Sequence, residues 1–233
     1  MKKRTDLHFA VIGIGAFGSA LANKLSEEGA YVIAVDSSMD RLNEVKSVVS
    51  DAICFDATDP ELLESHGICD VDVAVIAIGE SFEPVVLIAM QLLNAGVKEV
   101  YGRASTKTQV QILKQIGITD VIHPERQVAE RMGVMLVRSG LSDIFDLGEG
   151  LALFEVEAPK EMIGYTLADL ELRSRYELNL ITIKRYIEDV DSDDIKDHYK
   201  PIGILTGKTT VHEKDRFLLV GSKDNCDRLL RNS

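Results

Sequence analysis

Three glycines after a short apolar segment near the start of the chain constrain its fold more than any other feature. They are Gly13, Gly15 and Gly18, in the spacing Gly-x-Gly-x-x-Gly, and a helical pattern of apolar residues follows them. A second apolar segment ends at a carboxylate, Asp36. This order of strand, glycine turn, helix, strand and acidic residue is typical of a βαβ unit that binds a dinucleotide.

Each residue of this motif has a physical reason to be where it is. Gly13 allows the tight turn out of the strand, Gly15 lets the backbone come close to a phosphate, and Gly18 lets the helix pack against the sheet. The start of the helix offers free N–H groups to an anion. Asp36 can accept hydrogen bonds from both ribose hydroxyls and would repel a 2′-phosphate, so we expect adenosine with a free 2′-hydroxyl rather than NADP. The alternative is that the glycines serve only turn and packing.

Composition excludes several classes of protein. Of the 233 residues 45% are hydrophobic, which is enough for a sizeable core, and no apolar run is long enough to span a bilayer. No signal-peptide segment precedes the first strand, so a cytoplasmic location is expected. The net charge is −12, with the acidic excess shared equally by residues 1–140 and 141–233, which argues against a nucleic-acid partner.

The chain divides into two predicted domains. Residues 1–140 alternate strand and helix patterns, which predicts an α/β, Rossmann-like parallel sheet with helices on both faces. A linker is expected at 141–148, and 149–233 predicts a small α+β domain. The expected strands of that domain are 151–157, 180–184, 202–205 and 217–220. The acidic segment at 187–199 predicts a solvated loop, because it lacks the Gly and Glu of a calcium-binding loop.

Several loop residues are expected to lie together at the carboxyl ends of the parallel strands, where such sheets bind ligands. They follow the first five strands, and Arg103 among them can reach a phosphate or stack on a base. Glu125 begins a helix after Pro124, where a carboxylate is favourable in itself. The predicted nucleotide-binding residues are Gly13, Gly15, Ala16, Phe17, Gly18, Asp36, Ser37, Asp56, Ala57, Thr58, Ala77, Ile78, Gly79 and Arg103.

Segments spread over nearly the whole chain resemble the RCK (KTN) family, the cytosolic regulatory subunits of Ktr/Trk-type potassium uptake systems. The glycine motif alone is not specific, whereas the segment ending in His-Pro-Glu125 and the pattern of the second domain are. The matching segments are 11–18, 34–36, 56–59, 72–79, 117–125, 172–180 and 183–185.

The resemblance implies a binding protein without catalysis. It implies that the first domain binds ADP, ATP or NAD(H), that Glu125 holds Mg²⁺ or Ca²⁺ between subunits, and that eight copies, built from dimers, form a gating ring beneath a membrane-embedded potassium channel or transporter subunit. It further implies a cyclic di-AMP site in the second domain, near Arg173 and Asn179. Ala16 departs from the arginine that many Ktr-type members carry there.

The alternative is an NAD-dependent dehydrogenase or reductase, or an NAD(H) redox sensor, since the same glycine motif is common in those proteins. A dehydrogenase needs an acid or base and a substrate pocket. The sequence shows no Ser/His/Asp or Cys/His arrangement that would supply the first. We therefore expect regulation rather than an enzyme activity.

Overall fold

The computed structural model describes residues 4–79, 81–188 and 198–231. The chain forms two compact units that divide between Arg126 and Gln127. Most of the acidic segment at 187–199, for which a solvated loop is predicted, lies outside the described residues. Within the described part of the chain, no helix is both long enough and apolar enough to cross a membrane.

Strands and helices alternate in the first unit, as predicted. The strands are β1 (His8–Ile12), β2 (Tyr31–Asp36), β3 (Asp51–Cys54), β4 (Val73–Ile76), β5 (Glu99–Arg103) and β6 (Asp120–Ile122). The helices are α1 (Ala16–Glu27), α2 (Met39–Asn43), α3 (Pro60–Ser65), α4 (Phe82–Ala95), α5 (Lys107–Ile116) and α6 (Pro124–Val137), of which the last runs across the boundary between the units. All strand pairs are parallel, in the order β3-β2-β1-β4-β5-β6. This confirms the Rossmann-like fold.

The sheet is covered on both faces because its central strands are apolar on both sides. In β1, Ala10 and Ile12 belong to one buried cluster and Val11 to another. Ala10 and Ile12 share their cluster with residues of α3, α4 and α5, whereas Val11 packs with Ala22 of α1 and Leu42 of α2. Side chains alternate between the faces of a strand, so a continuous apolar run requires helices on both sides.

The strand order reverses between β1 and β4, which positions the functional site. The chain leaves β1 toward β2 on one side of the sheet, whereas β4 continues to β5 on the other. The loops that follow β1 and β4 therefore diverge at the carboxyl edge. Such a switch point opens the crevice in which doubly wound sheets bind their ligands.

The second unit is a small antiparallel sheet with short helices. Its strands are β7 (Leu141–Gly148), β8 (Leu151–Glu157), β9 (Asn179–Tyr186), β10 (Tyr199–Pro201) and β11 (Arg216–Ser222), in the order β10-β9-β11-β8-β7. The helices are α7 (Leu167–Leu170), α8 (Leu172–Tyr176) and α9 (Lys223–Arg231). A core separate from that of the first unit includes Phe154, Phe217 and Leu219. The predicted α+β class of this part of the chain is confirmed.

Two expectations for the second unit are wrong. The predicted linker 141–148 is strand β7, which pairs with β8 through a turn of three left-handed residues, 148–150. Its polar and glycine residues suggest a loop, but Leu141 and Ile144 are buried against the sheet. The strand predicted at 202–205 is an irregular loop whose Ile204 is almost fully exposed. An edge position beside β9 is instead taken by β10.

The apolar spacing of residues 38–48 predicts one continuous helix, but the helix in this segment is shorter. The α2 helix ends at Asn43, and hydrogen-bonded turns continue the chain to the start of β3. Val45 and Val49 in this segment are buried. The apolar spacing therefore indicates which side of the segment is buried, but it does not indicate an unbroken helix.

A fully buried carboxylate, Asp215, ties the chain before β11 to the neighbouring strand. It accepts hydrogen bonds from Arg185 Nε and Nη2 at 3.0 and 2.9 Å and from the His212 backbone N–H at 2.9 Å. Arg185 also donates to the Thr210 carbonyl at 3.0 Å. By accepting hydrogen bonds from the Arg185 guanidinium, the Asp215 carboxylate holds the pKa of Arg185 above its usual value. Because its charge is fully paired, Asp215 is tolerated inside the core.

We expect Asp215→Asn to lower the free energy of unfolding of this unit by about 2–3 kcal/mol, because it leaves buried donors without their charged acceptor. Asp143→Asn is the matched control, since Asp143 also accepts from Nε and Nη2 of an arginine, Arg131, but on the surface. Exposed pairs contribute only about 0–1 kcal/mol. Urea unfolding of the full chain measures both variants, and equal losses would contradict the anchoring role of Asp215.

Candidate functional site

A cavity of about 1030 Å³ opens at the carboxyl edge of the parallel sheet. Its size suits a nucleotide, since ligand pockets measure roughly 300–1,000 Å³. Twelve of the fourteen predicted residues line it: Gly13, Gly15, Ala16, Asp36, Ser37, Asp56, Ala57, Thr58, Ala77, Ile78, Gly79 and Arg103. The structure thus brings together residues that lie up to ninety positions apart in the sequence.

The turn after β1 that begins at Gly13, called the glycine turn below, lies at the floor of the cavity. Hydrogen bonds to residues of β2 hold it in place. Gly13 adopts φ +95°, a conformation that glycine takes readily, and its N–H donates to the Val35 carbonyl at 2.8 Å. A Cβ on Gly13 would also lie only 2.8 Å from Cγ1 of Ile78. The next residue, Ile14, donates its backbone N–H to Asp36 Oδ2 at 2.7 Å. Both conformation and space therefore require glycine at position 13.

Asp36 joins the turn to the start of α2. Besides Ile14, its carboxylate accepts from the Ser38 backbone N–H, which donates to Oδ1 at 2.8 Å. Arg41 Nη1 lies 3.8 Å from Oδ2. The carboxylate is nearly buried yet lines the cavity, and an ionised carboxylate has lone pairs for further donors. Asp36 can thus position the turn and still accept from ligand hydroxyl groups.

Gly15 and Gly18 differ in what surrounds them. A Cβ on Gly18 would lie 1.9 Å from the Gly13 carbonyl oxygen, whereas one on Gly15 would meet nothing within 4 Å. Gly18 therefore brings α1 against the turn, and it does not line the cavity. Phe17 does not line it either, and packs instead against the buried cluster under α1.

Two helices begin at the cavity with free N-terminal amides. Gly15 precedes α1 and Ser81 precedes α4, both residues line the cavity, and within the described residues neither of the two caps its helix through a side-chain hydrogen bond. The first N–H groups of a helix have no partner inside the helix. They carry the positive end of its dipole and favour an anion. These two helix starts therefore favour an anion locally, although the chain as a whole is acidic and four carboxylates also line the cavity.

The segment after β3 forms a rigid polar edge of the cavity. Asp56 accepts hydrogen bonds from the backbone N–H and the hydroxyl of Thr58, at 3.0 and 2.8 Å. These two bonds stabilise the carboxylate and lower the pKa of Asp56. Asp56 is exposed and ionised at neutral pH, so it presents acceptors to ligand hydroxyl or amino groups.

Arg103 brings a cation to the opposite side of the cavity. Its guanidinium lies against Gly79, where a Cβ would approach Nη1 to 2.4 Å. Nη1 is 3.5 Å from the Ala77 carbonyl oxygen, and Nη2 forms an ion pair with Glu125. Nε is buried and has no hydrogen-bond partner among the residues that the structure describes. Gly79 is thus required for the position of Arg103.

The sequence did not single out several residues of this wall. Arg41 and Glu44 approach from α2 and the turn after it, and Ser81, Glu83, Pro84 and Leu87 from the start of α4. Ser81 follows the Gly79 segment by two residues, and this proximity is a signal that could have found it. Arg41 has no such signal, because its place beside Asp36 depends on the shape of the connection that follows β2.

The second unit has a smaller cavity of about 420 Å³. Arg173 and Asn179, which the family resemblance places near a ligand site of this domain, line it. Glu171 lines it as well and has φ +44°, which is uncommon for a residue with a side chain. The short helices α7 and α8 meet at Glu171.

Comparison with known proteins agrees with this architecture. The TrkA-N domain family model matches residues 9–124. The Ktr system potassium uptake protein C of Bacillus subtilis is 32% identical over 94% of this chain and 94% of its own length. The chain belongs to the KtrA/TrkA-like family of RCK regulatory subunits. The Ktr system potassium uptake protein A of Vibrio alginolyticus, 31% identical over 99% of both chains, is a second relative.

Solved RCK structures share the fold. A structure described as the GsuK channel bound to NAD superposes with a TM-score of 0.61 and 15% identity, over 98% of this chain and 40% of that one. This similarity extends through both units, each of which therefore has the RCK fold.

The expected divalent-cation role of Glu125 stays a prediction, since no three His, Cys, Asp or Glu side chains meet as a metal site in the described ranges.

We expect Gly18→Ala to lower the free energy of unfolding by about 1–3 kcal/mol, because the added methyl group overlaps the Gly13 carbonyl and forces α1 outward. Gly15→Ala is the control. Gly15 has φ −87° and open space around it, so its stability should stay within about 0.5 kcal/mol of the wild-type value. Thermal or urea unfolding measures both, and an unaffected Gly18→Ala would contradict the packing described for α1.

Proposed function

We propose that this RCK regulatory subunit binds an adenine nucleotide, ADP, ATP or NAD(H), in the large cavity, and that this ligand controls potassium uptake. The observation that carries the proposal is the convergence on one cavity of the glycine turn, two uncapped helix starts and Arg103. Backbone amides and a guanidinium are the donors that phosphate groups need. A ligand that prefers one shape of an assembly shifts the assembly toward that shape.

The two ends of the cavity suit the two ends of a nucleotide. Phosphates fit the glycine turn and Arg103, whereas the ribose fits Asp36 at the end of β2. Asp36 has an accepting carboxylate and repels a 2′-phosphate, although Arg41 lies 3.8 Å from it. We therefore propose a preference for nucleotides with a free 2′-hydroxyl over NADP(H). Ala16 offers no charge to a terminal phosphate, so Arg103 is its main side-chain partner.

We propose three further roles, which family membership supports. The partner is a membrane-embedded potassium transporter subunit of the Ktr or Trk type, and this chain assembles with itself, as dimers that form an octameric ring at the cytoplasmic face of the membrane. Glu125 binds Mg²⁺ or Ca²⁺ near the phosphates, where an exposed carboxylate beside the cavity is available. In this role the chain is a regulator and not an enzyme.

The nucleotide proposal is tested by thermal shift with ADP, ATP, NAD, NADH and NADPH. A ligand at about 100 times its Kd stabilises the fold by roughly 2.7 kcal/mol, so binding raises the Tm measurably. We expect ADP or ATP to raise the Tm, NADPH to have little effect, and Arg103→Gln to reduce the shift. Lys98→Gln is the control, because Lys98 lies at the other end of β5, outside the cavity.

Two outcomes would contradict this assignment. If no nucleotide raises the Tm of the wild-type protein, the cavity does not bind nucleotides. If only NADH does so, and NADH is consumed when carbonyl substrates are added, the dehydrogenase alternative replaces the regulatory one. A response to NADH without turnover would favour a redox sensor.

We propose cyclic di-AMP as the ligand of the second cavity, where Arg173 offers a cation for phosphate and Asn179 an amide for a base. We expect Arg173→Gln to weaken binding of cyclic di-AMP at least tenfold in calorimetric titration. Lys208→Gln is the control, since Lys208 is exposed and does not line this cavity. Equal affinities of the two variants, or no binding to the wild-type protein, would contradict the assignment.

A further inference from the structure

Arg103 already has an anionic partner inside this chain. Its Nη2 forms an ion pair with Glu125, although Glu125 itself does not line the cavity. A ligand phosphate that binds Arg103 must therefore share the guanidinium with this carboxylate or displace it. Both groups are oxygen anions that seek the same N–H donors.

The two partners of the ion pair are held very differently. The Arg103 side chain is 19% exposed and enclosed by Gly79 and the Ala77 carbonyl, whereas the Glu125 side chain is 62% exposed. Glu125 is thus the partner that can leave at little cost. The buried Arg103 Nε, which lacks a hydrogen-bond partner within the described ranges, leaves the guanidinium with unused donor capacity.

The other arginine of the cavity provides a contrast. Arg41 lies beside Asp36, whose side chain is 5% exposed and is bonded to the backbone N–H groups of Ile14 and Ser38. Asp36 cannot leave without breaking the glycine turn. Of these two arginine–carboxylate pairs, the Arg103–Glu125 pair is therefore the one in which another anion can replace the carboxylate.

We propose that Glu125 competes with the ligand phosphate for Arg103 and so sets the nucleotide affinity of the cavity. This inference rests on the proposed nucleotide site. In the ligand-free protein the carboxylate occupies Arg103, and in the complex the phosphate takes its place. Glu125, whose side chain is 62% exposed, is then released to solvent.

The competition couples the nucleotide to divalent cations. A cation that binds Glu125 withdraws the carboxylate from Arg103 and leaves the guanidinium to the ligand phosphate. Nucleotide affinity therefore rises when the cation is present. By reciprocity, the nucleotide raises cation affinity by the same factor.

The competition is tested by titrating ADP into the full-length protein in EDTA, so that no divalent cation contributes. We expect Glu125→Gln to bind ADP about fivefold more tightly than wild type, which is about 1 kcal/mol at 1.4 kcal/mol per tenfold. Glu64→Gln is the charge-matched control, because Glu64 is exposed on α3 and outside the cavity. Its affinity should equal that of wild type.

A second pair of variants separates competition from simple repulsion. In an Arg103→Gln background, adding Glu125→Gln should change ADP affinity less than twofold, because there is no guanidinium to compete for. Equal tightening in both backgrounds would replace competition with direct repulsion.

The remaining outcomes distinguish the two proposals. If wild type binds ADP but Glu125→Gln binds it no better in EDTA, the competition is wrong and the nucleotide site stands. If none of the variants binds ADP, the nucleotide site itself fails, and the competition fails with it.

Discussion

The hydrogen bond from the Ile14 backbone N–H to the Asp36 carboxylate is the contact on which the site depends. At 2.7 Å, it connects the turn after β1 with the end of β2, 22 residues later. The Gly13 N–H adds a second connection to the Val35 carbonyl. With both in place, the glycine turn presents its amides to the cavity, and the carboxylate faces the same space. One residue therefore both holds the turn and lines the cavity.

Around this contact, the cavity is assembled by loops from one edge of the sheet. The positive components are backbone amides at the starts of α1 and α4 together with two arginines, in a chain whose net charge is −12. Binding of an anion thus depends on the local orientation of a few groups rather than on the charge of the whole protein. An acidic protein can in this way gather positive groups around a single cavity.

In the second unit, a separate core and a buried ion pair stabilise a small antiparallel sheet. Its core includes alternate residues of β8 and β11 and Ile183 of β9, and the buried Asp215 joins the chain before β11 to Arg185. This ion pair has no counterpart in the sequence pattern, because Asp215 and Arg185 are thirty positions apart. A carboxylate at such a position resembles an ordinary loop residue until the fold shows that it is fully buried.

The sequence by itself determined the class of the first unit and half of the residues that line the cavity. Apolar strands, the glycine spacing and Asp36 have local causes, since backbone conformation and side-chain alternation act over a few residues. Residues at the ends of parallel strands must share one edge, so their convergence also followed from the order of elements. The prediction of a linker at 141–148 was wrong. Its glycine and polar residues are typical of a loop, but pairing with β8 stabilises the segment as a strand.

The tertiary structure alone decided that two residues of the motif that were predicted to bind the nucleotide do not line the cavity. Gly18 lies against the Gly13 carbonyl, and Phe17 packs with the buried cluster under α1. The pairing of Arg103 with Glu125 likewise depends on where α6 begins relative to β5. Such choices depend on distances between elements remote in the chain, and no local pattern of residue types encodes those distances.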